Sequence, residues 1–243
     1  MCIMSLRDQI AETIESYIID NRLLPGSRLP SEREMCEVWG FNRISLRSAL
    51  RRLSDFGIID RKVGYGTFVA KPRLVRNLQD TIGFTQAVRE SGHIPSNHVV
   101  DSQIIEANKF LVRNLHVMLG SPVFAIRRIH LIDGVPVSLE ISWINTLYCK
   151  KINEHNFSQV SLYEVLKNIY GIIPTKGSEK INVTLIDDEE AGLLGVKVGA
   201  SAFLQKGLIL DQYGRPIEFF KSITLSDHVS LATELRYSSL NEV

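Results

Sequence analysis

Residues 30–69, PSEREMCEVWGFNRISLRSALRRLSDFGIIDRKVGYGTFV, carry the pattern that decides how the N-terminal part of this chain folds. Pro30 opens the stretch, Ser31 is a favoured N-cap, and Glu34 three residues on completes a capping box that satisfies amide donors left free at a helix start. The pattern predicts a helix over about 32–39, stopped by Gly40. Asn42 then caps a second helix in which Ile44, Leu46, Leu50 and Leu53 are expected to face the core while Arg43, Ser45, Arg47, Arg51 and Arg52 project outward. Gly57 closes it. Residues 58–61 and 67–70 alternate as two strands around Lys62-Val63-Gly64-Tyr65-Gly66, a basic tip whose Gly64 and Gly66 permit close backbone approach. Two helices, a tight turn and a hairpin predict a winged helix-turn-helix with the second helix as the recognition candidate.

Such a helix enters the major groove N-terminus first, and Arg43 and Arg47 lie one turn apart, so both can reach base edges. Arginine bonds O6 and N7 of guanine bidentately, and the Ser45 hydroxyl suits a base or a phosphate. Charge follows the same division. Residues 28–76 hold 11 Lys+Arg against 5 Asp+Glu, net +6, whereas residues 77–243 hold 15 against 18, net −3. A concentrated positive patch attracts the phosphate backbone by counterion release, so duplex DNA is the expected partner of the head. A scaffold whose winged helix binds protein would not need that charge.

At 243 residues the chain suffices for two domains, and no apolar run approaches a membrane span or a signal sequence. Cys2, Cys36 and Cys149 are odd in number and far apart, as expected of reduced thiols in a cytoplasmic protein. Leu6, Ile10, Ile14, Tyr17 and Ile18 predict a first helix over about 5–21 that packs under the recognition helix. The expected division is a head over 1–70, a basic linker over 71–79 with charge near DNA, and a second domain over 80–243. In that domain, strands are expected over 99–105, 123–132, 135–144, 177–184, 201–211 and 216–225. Helices are expected over 106–118, from Ser161 with Glu164 as capping-box partner to Tyr170-Gly171, and from Asp187 to Leu194. Asp133-Gly134 between apolar runs is a hairpin signal, and mostly antiparallel strands with separate helices indicate an α+β domain.

Three motifs now occur in order: Leu29-Pro30-Ser31-Glu32-Arg33-Glu34, the helix from Asn42 to Leu50, and Gly64-Tyr65-Gly66-Thr67-Phe68-Val69. Together they resemble the DNA-binding domain of the GntR family of bacterial transcription regulators. The resemblance implies operator contacts from Arg33, Arg43, Ser45 and Arg47, with Gly66 entering the minor groove at the wing tip. Asn42, Arg52, Lys62 and Gly64 complete the expected DNA-binding set. It further implies a homodimer reading a palindromic site, with the two heads on half-sites about one helical turn apart or closer.

Residues 80–240 resemble the UTRA effector domain of the HutC subfamily, which has a chorismate-lyase-like antiparallel sheet. The pieces that carry this are Gly83-Phe84-Thr85, Ile126-Arg127-Arg128-Ile129-His130, Glu140-Ile141-Ser142, Ser161-Leu162-Tyr163, Pro216-Ile217-Glu218 and the run Ser222-Ile223-Thr224-Leu225-Ser226-Asp227. In sugar-phosphate-responsive members the matching positions form one pocket. Amides at a helix start, hydroxyls and a guanidinium suit a phosphate, which is the role implied for Gly83, Phe84, Thr85, Arg128, Ser161 and Tyr163. Glu140 and Glu218 would accept from sugar hydroxyls or an amine. His130 stands where Arg is frequent and Thr224 begins a departure from the common Tyr-Arg-Gly-Asp, so an anionic ligand of different identity is expected. A lyase-like enzyme using Arg128, Glu140 and Glu218, or a small-molecule-binding protein using the same pocket, is the alternative, but no nucleophile elbow, phosphate-binding glycine loop or metal-ligand spacing occurs. No catalytic residue, cofactor or metal is therefore assigned. The expected function is a ligand-relieved repressor.

Overall fold

The protein is described by a computed structural model, which covers residues 5–62, 64–70, 74–78 and 82–233. The chain forms two compact units that divide between Arg73 and Leu74. Cys2, Val63 of the wing tip, and Lys71, Pro72, Arg73 and Gln79 of the expected linker lie outside the described residues.

In the first unit, α1 (Leu6–Asp20) starts at Ser5, whose hydroxyl accepts from the Asp8 amide. Helix α2 (Glu32–Trp39) has the expected capping box: Ser31 Oγ accepts from the Glu34 amide at 3.2 Å while Glu34 Oε2 accepts from the Ser31 amide at 2.7 Å. Gly40, at φ +71°, ends it in the left-handed region that a side chain disfavours. Helix α3 (Arg43–Asp55) begins at Asn42, whose Oδ1 accepts from the Ser45 amide at 2.8 Å. Strands β1 (Ile59–Lys62) and β2 (Gly66–Val69) pair antiparallel, each displaced by one residue from expectation. Ile10 and Ile14 of α1, Met35 of α2, Leu46, Leu50 and Leu53 of α3, and Ile59 of β1 form one buried core, so α1 and α3 pack together. Ile44 departs from expectation. It is 85% exposed and takes no part in the core, while Ala49 occupies the buried place.

The second unit contains β3 (Leu74–Asn77), α4 (Phe84–Glu90), β4 (Pro95–Glu106), α5 (Lys109–Leu115), β5 (Pro122–Ile132) and β6 (Val135–Asn145). These are followed by α6 (Leu162–Tyr170), β7 (Pro174–Leu185), α7 (Asp188–Leu194), β8 (Ser201–Asp211), β9 (Pro216–Leu225) and β10 (Val229–Ala232). Six strands make one antiparallel sheet in the order β4-β5-β6-β9-β8-β7, and β3 pairs in parallel with β10 apart from it. The expected linker is thus corrected in its middle, because Leu74–Asn77 is a strand of the second unit. Asp133 and Gly134, at φ +51° and +81°, turn β5 into β6.

Some boundaries and one cap differ from the sequence reading. Strand β4 runs from Pro95, because the half-buried Pro95 and Asn97 that alternate with exposed Ser96 and His98 are not residue types favoured in strands. Helix α5 is only seven residues, capped by Asn108 and ended at His116 with φ +56°. Ser161 caps α6, but Glu164 does not close a reciprocal box; its carboxylate pairs with Arg89 of α4 instead.

The sheet has two different faces. On one, Ile129, Leu139, Ile223 and Leu225 pack with Ala191 and Leu194 of α7. On the other, Phe124, Ile126, Ile144 and Phe220 pack with Leu162, Val165 and Leu166 of α6. Further along that second face, at the same alternating positions, the side chains turn polar: Arg128 and His130 on β5, Ser138 and Glu140 on β6, Ser222 and Thr224 on β9.

Candidate functional sites

Arg43, Arg47 and Arg51 are exposed on one side of α3, whereas Leu46, Ala49, Leu50 and Leu53 are buried on the other. One carboxylate organises this surface. Glu32 lies 2.7 Å from Arg61 of β1, 3.5 Å from Arg47 and 3.9 Å from Arg43, so a single anion at the start of α2 gathers guanidinium groups from helix and wing. Arg33 is exposed and pairs with Glu37 at 2.8 Å along α2. Asn42 uses its Oδ1 on the Ser45 amide, and Ser45 is half-buried, not outward as expected.

Arg52 is corrected. At about 100° per residue it sits half a turn away from Arg43, where it pairs with Asp8 of α1 at 2.9 Å and lies over the Phe56 ring at 5.2 Å. Its place is between α1 and α3. In the wing, Lys62 lies over Phe68 at 5.4 Å, and Gly64 and Gly66 have φ of +78° and +123°. A Cβ on Gly66 would meet Arg28 Nε at 3.1 Å, so the exposed Arg28 joins this surface. Arg28, Arg61 and Glu32 were not singled out from the sequence, though Glu32 stands inside a motif that was quoted.

Within the second unit the polar end of the sheet face floors a cavity of about 440 Å³. All ten positions nominated from the sequence line it: Gly83, Phe84 and Thr85 at the start of α4, Ser161 and Tyr163 at the start of α6, and Arg128, His130, Glu140, Glu218 and Thr224 on the sheet. The two helix starts are in contact, because a Cβ on Gly83 would come within 3.0 Å of the Tyr163 ring. First-turn amides of a helix favour anions.

Arg128 is 4% exposed. Its Nη2 donates to Glu140 Oε1 at 2.5 Å and to Ser142 Oγ at 3.2 Å, while its Nε has no hydrogen-bond partner among the described residues. His130 stacks on Phe84 at 4.4 Å and its Nδ1 meets Asn97 Oδ1 at 2.7 Å. His130 Nε2 stands 3.2 Å from Glu140 Oε1 but off the line of a hydrogen bond. Burial lowers the His130 pKa against the pull of Glu140, which keeps the ring neutral near pH 7. Burial alone would raise Glu140, but the charge that His130 carries once protonated in acid and the permanent charge of Arg128 reverse this and hold it well below the usual carboxylate range. Since His130 is neutral at pH 7, Arg128 is the cation that keeps Glu140 ionised. Burial, then the nearby charge of Glu140, raises Glu218, which accepts from the Tyr163 hydroxyl at 2.7 Å. Burial and Glu218 in turn push Tyr163 well above its ordinary value.

A polar chain crosses the floor. Ser138 meets Thr224 at 2.9 Å, Thr224 donates to Gln205 Oε1 at 2.8 Å, Gln205 Nε2 donates to Glu179 at 2.8 Å, and Arg76 of β3 pairs with both Glu179 oxygens at 3.3 Å. Sequence reading did not single out Arg76, Ser138, Glu179 or Gln205, and quoted Ser222 only as the start of a run that carries the family likeness. Ser138 and Ser222 share strand parity with Glu140 and Glu218, a signal that was present; the others depend on strand order. Arg76, read from the sequence only as one charge of the basic linker, lines this cavity. The arrangement suits a small polar molecule with an anionic group, met by Arg128, Arg76 and Lys176, and with donors for the three carboxylates. Among the described residues no group of three or more His, Cys, Asp or Glu is placed to hold a metal, and no helix is long and apolar enough to cross a membrane.

Residues 6–69 match the family described as bacterial regulatory proteins, gntR family, and residues 90–230 match the UTRA domain. The HTH-type transcriptional repressor NagR of Bacillus subtilis (strain 168) is 32% identical over 219 residues, 90% of each chain. The histidine utilization repressor of Pseudomonas putida is 28% identical over 81% of this chain and 78% of its own. Among solved structures, PhnF from Mycobacterium smegmatis superposes with a TM-score of 0.70 at 26% identity, over 96% of this chain and 100% of that one. Such relatives are transcription regulators, not enzymes. This chain belongs to the GntR family of bacterial transcription regulators, with a winged helix-turn-helix that binds operator DNA and a UTRA domain that binds a small-molecule effector.

Proposed function

We propose that this regulator is a cytoplasmic homodimeric repressor of a palindromic operator, released by a phosphorylated sugar or a similar small anionic metabolite. The observation that carries the reading is the polar end of one sheet face, where the Arg128 side chain lines a cavity bounded by the starts of α4 and α6. A phosphate offers acceptors for a guanidinium and for the first-turn amides, while Glu140, Glu179 and Glu218 accept from hydroxyls or an amine. In the head, Arg43 and Arg47 read bases, Arg33 and Lys62 meet phosphates, and Gly66 lets the wing approach a groove. An effector that binds better to one arrangement of the two heads shifts the DNA equilibrium by its differential affinity.

A thermal-shift screen of the full-length protein against sugar phosphates, the matching neutral sugars and inorganic phosphate tests this. Stabilisation by a sugar phosphate and not by its neutral parent is expected, since a ligand at a hundred times its Kd adds about 2.7 kcal/mol. The same compound should lower operator affinity. If only uncharged compounds stabilise the protein, the anion site is wrong and the DNA-binding function stands alone.

A further inference from the structure

We infer that Ile44 is a specificity-determining residue, reading the 5-methyl group of a thymine in each operator half-site. This rests on the reading that α3 is the helix entering the major groove. Advancing about 100° per residue, the buried side chains Leu46, Ala49, Leu50 and Leu53 define the inner side of α3, and Ile44 lies opposite them in its first turn. Ile44 is 85% exposed, against zero for those four. Arg43 and Arg47 lean to one side of it, toward Glu32. The outermost group at the leading end of the helix is therefore apolar, amid cations that bring it against DNA.

The fold does not account for an isoleucine there. It touches no core, and its β-branched side chain is a poorer helix former than alanine. Major-groove edges offer hydrogen-bonding groups and one apolar group, the thymine methyl, with which an apolar side chain makes a discriminating contact. Against a polar edge, Ile44 would strip water from donors and acceptors without replacing it. Its stiff χ1 leaves little freedom to lose on contact. The arginines supply attraction to any duplex, and Ile44 adds a preference at one base step.

The test starts from a duplex selected out of a random pool by the full-length parent protein. Each thymine of a half-site is then replaced singly by uracil, which removes the methyl and nothing else. One replacement should weaken the parent about fourfold, the equivalent of burying one methyl group, about 0.8 kcal/mol. In Ile44→Ala, which leaves the core untouched, that replacement should cost less than twofold. The inference is overturned if no thymine shows a methyl dependence in the parent, or if the dependence is as large in Ile44→Ala. Arg47→Ala on the same duplexes separates the two levels. If it weakens selected and scrambled DNA equally, α3 does not read bases at all; if it reduces discrimination while uracil has no effect, only the role of Ile44 fails.

Discussion

Arg47 on α3 and Arg128 on β5 are both held by a glutamate, yet the two pairs have opposite settings. Arg47 is exposed and shares Glu32 with Arg43 at 3.5 and 3.9 Å while Arg61 holds that carboxylate at 2.7 Å, so the contacts of Arg43 and Arg47 are loose, solvated and exchangeable for a phosphate or a base. Arg128 is buried and tied to Glu140 at 2.5 Å with Ser142 beside it. A charge removed from water is costly unless paired, so this arginine serves the fold and the site together. Surface arginines of the head should change binding with the fold intact. A buried arginine of the effector unit should change both.

The largest expected effect tests the buried half. Arg128→Ala leaves Glu140 without its permanent cation and should destabilise the second unit by about 3 kcal/mol, with Arg128→Ala plus Glu140→Ala recovering part of the loss. Urea unfolding in a Trp39→Phe background, where Trp143 alone reports, measures it. An unchanged midpoint would break the comparison. Effector affinity should fall tenfold or more, read by calorimetry.

The exposed half is tested next. Arg43→Ala and Arg47→Ala should each remove about 1 to 3 kcal/mol of discrimination between operator and scrambled duplex while unfolding stability stays within about 0.5 kcal/mol of the parent. Arg33→Ala should weaken both duplexes alike. Should Arg43→Ala do the same, its base-reading role is wrong. Gly66→Val forces a β-branched residue to φ +123° against Arg28, a strain on the order of 1 to 3 kcal/mol at the wing tip. Operator affinity should drop with circular dichroism unchanged, and full affinity would remove the wing from the DNA interface.

Arg52 sharpens the contrast within one helix. Because it is paired with Asp8 and stacked on Phe56, Arg52→Ala should cost up to about 1 kcal/mol of head stability and leave discrimination between duplexes as in the parent. A loss of discrimination would return Arg52 to the reading face.

The smallest effect is a pair of opposite pH slopes. Glu140 has its pKa lowered, so its contribution is present above the ordinary carboxylate value of 4.5 and is lost as pH falls through its folded pKa. Glu218 has its pKa raised, so its contribution is full below 4.5 and is lost as pH rises through its folded pKa. Relative to the parent, Glu140→Gln should therefore look worst near neutrality and Glu218→Gln worst in acid. Stability measured across pH 2 to 8 would refute the assignment if both differences ran the same way.

The head was legible because its signals are local: Ser31 with Glu34, Gly40, Asn42 and the wing glycines each act within a few residues. Ile44 was misread for a physical reason. Being apolar does not bury a residue two positions from Leu46, since two steps of a helix turn about 200°. In the cavity, family likeness supplied positions that now line one space, and alternation along β6 and β9 would have added Ser138 and Ser222. Glu179 and Gln205 are brought to it by the order β9-β8-β7, and Arg76 by pairing between strands far apart in the chain. Neither is written in a short window. Local codes describe caps and turns; cavity walls are assembled by topology.

That last pairing bears on when the protein becomes able to respond. Strand β3 registers Leu74 against Val229 and Asn77 against Ala232, so it waits for chain synthesised about 150 residues later. On a ribosome adding roughly 5–20 residues per second, the head can fold many seconds before the wall carrying Arg76 closes. A newly made chain thus acquires its folded head before the cavity of the second unit is finished. Trimming the second unit to begin after β3 would leave β10 without its partner, so a separately produced effector domain should start ahead of Leu74.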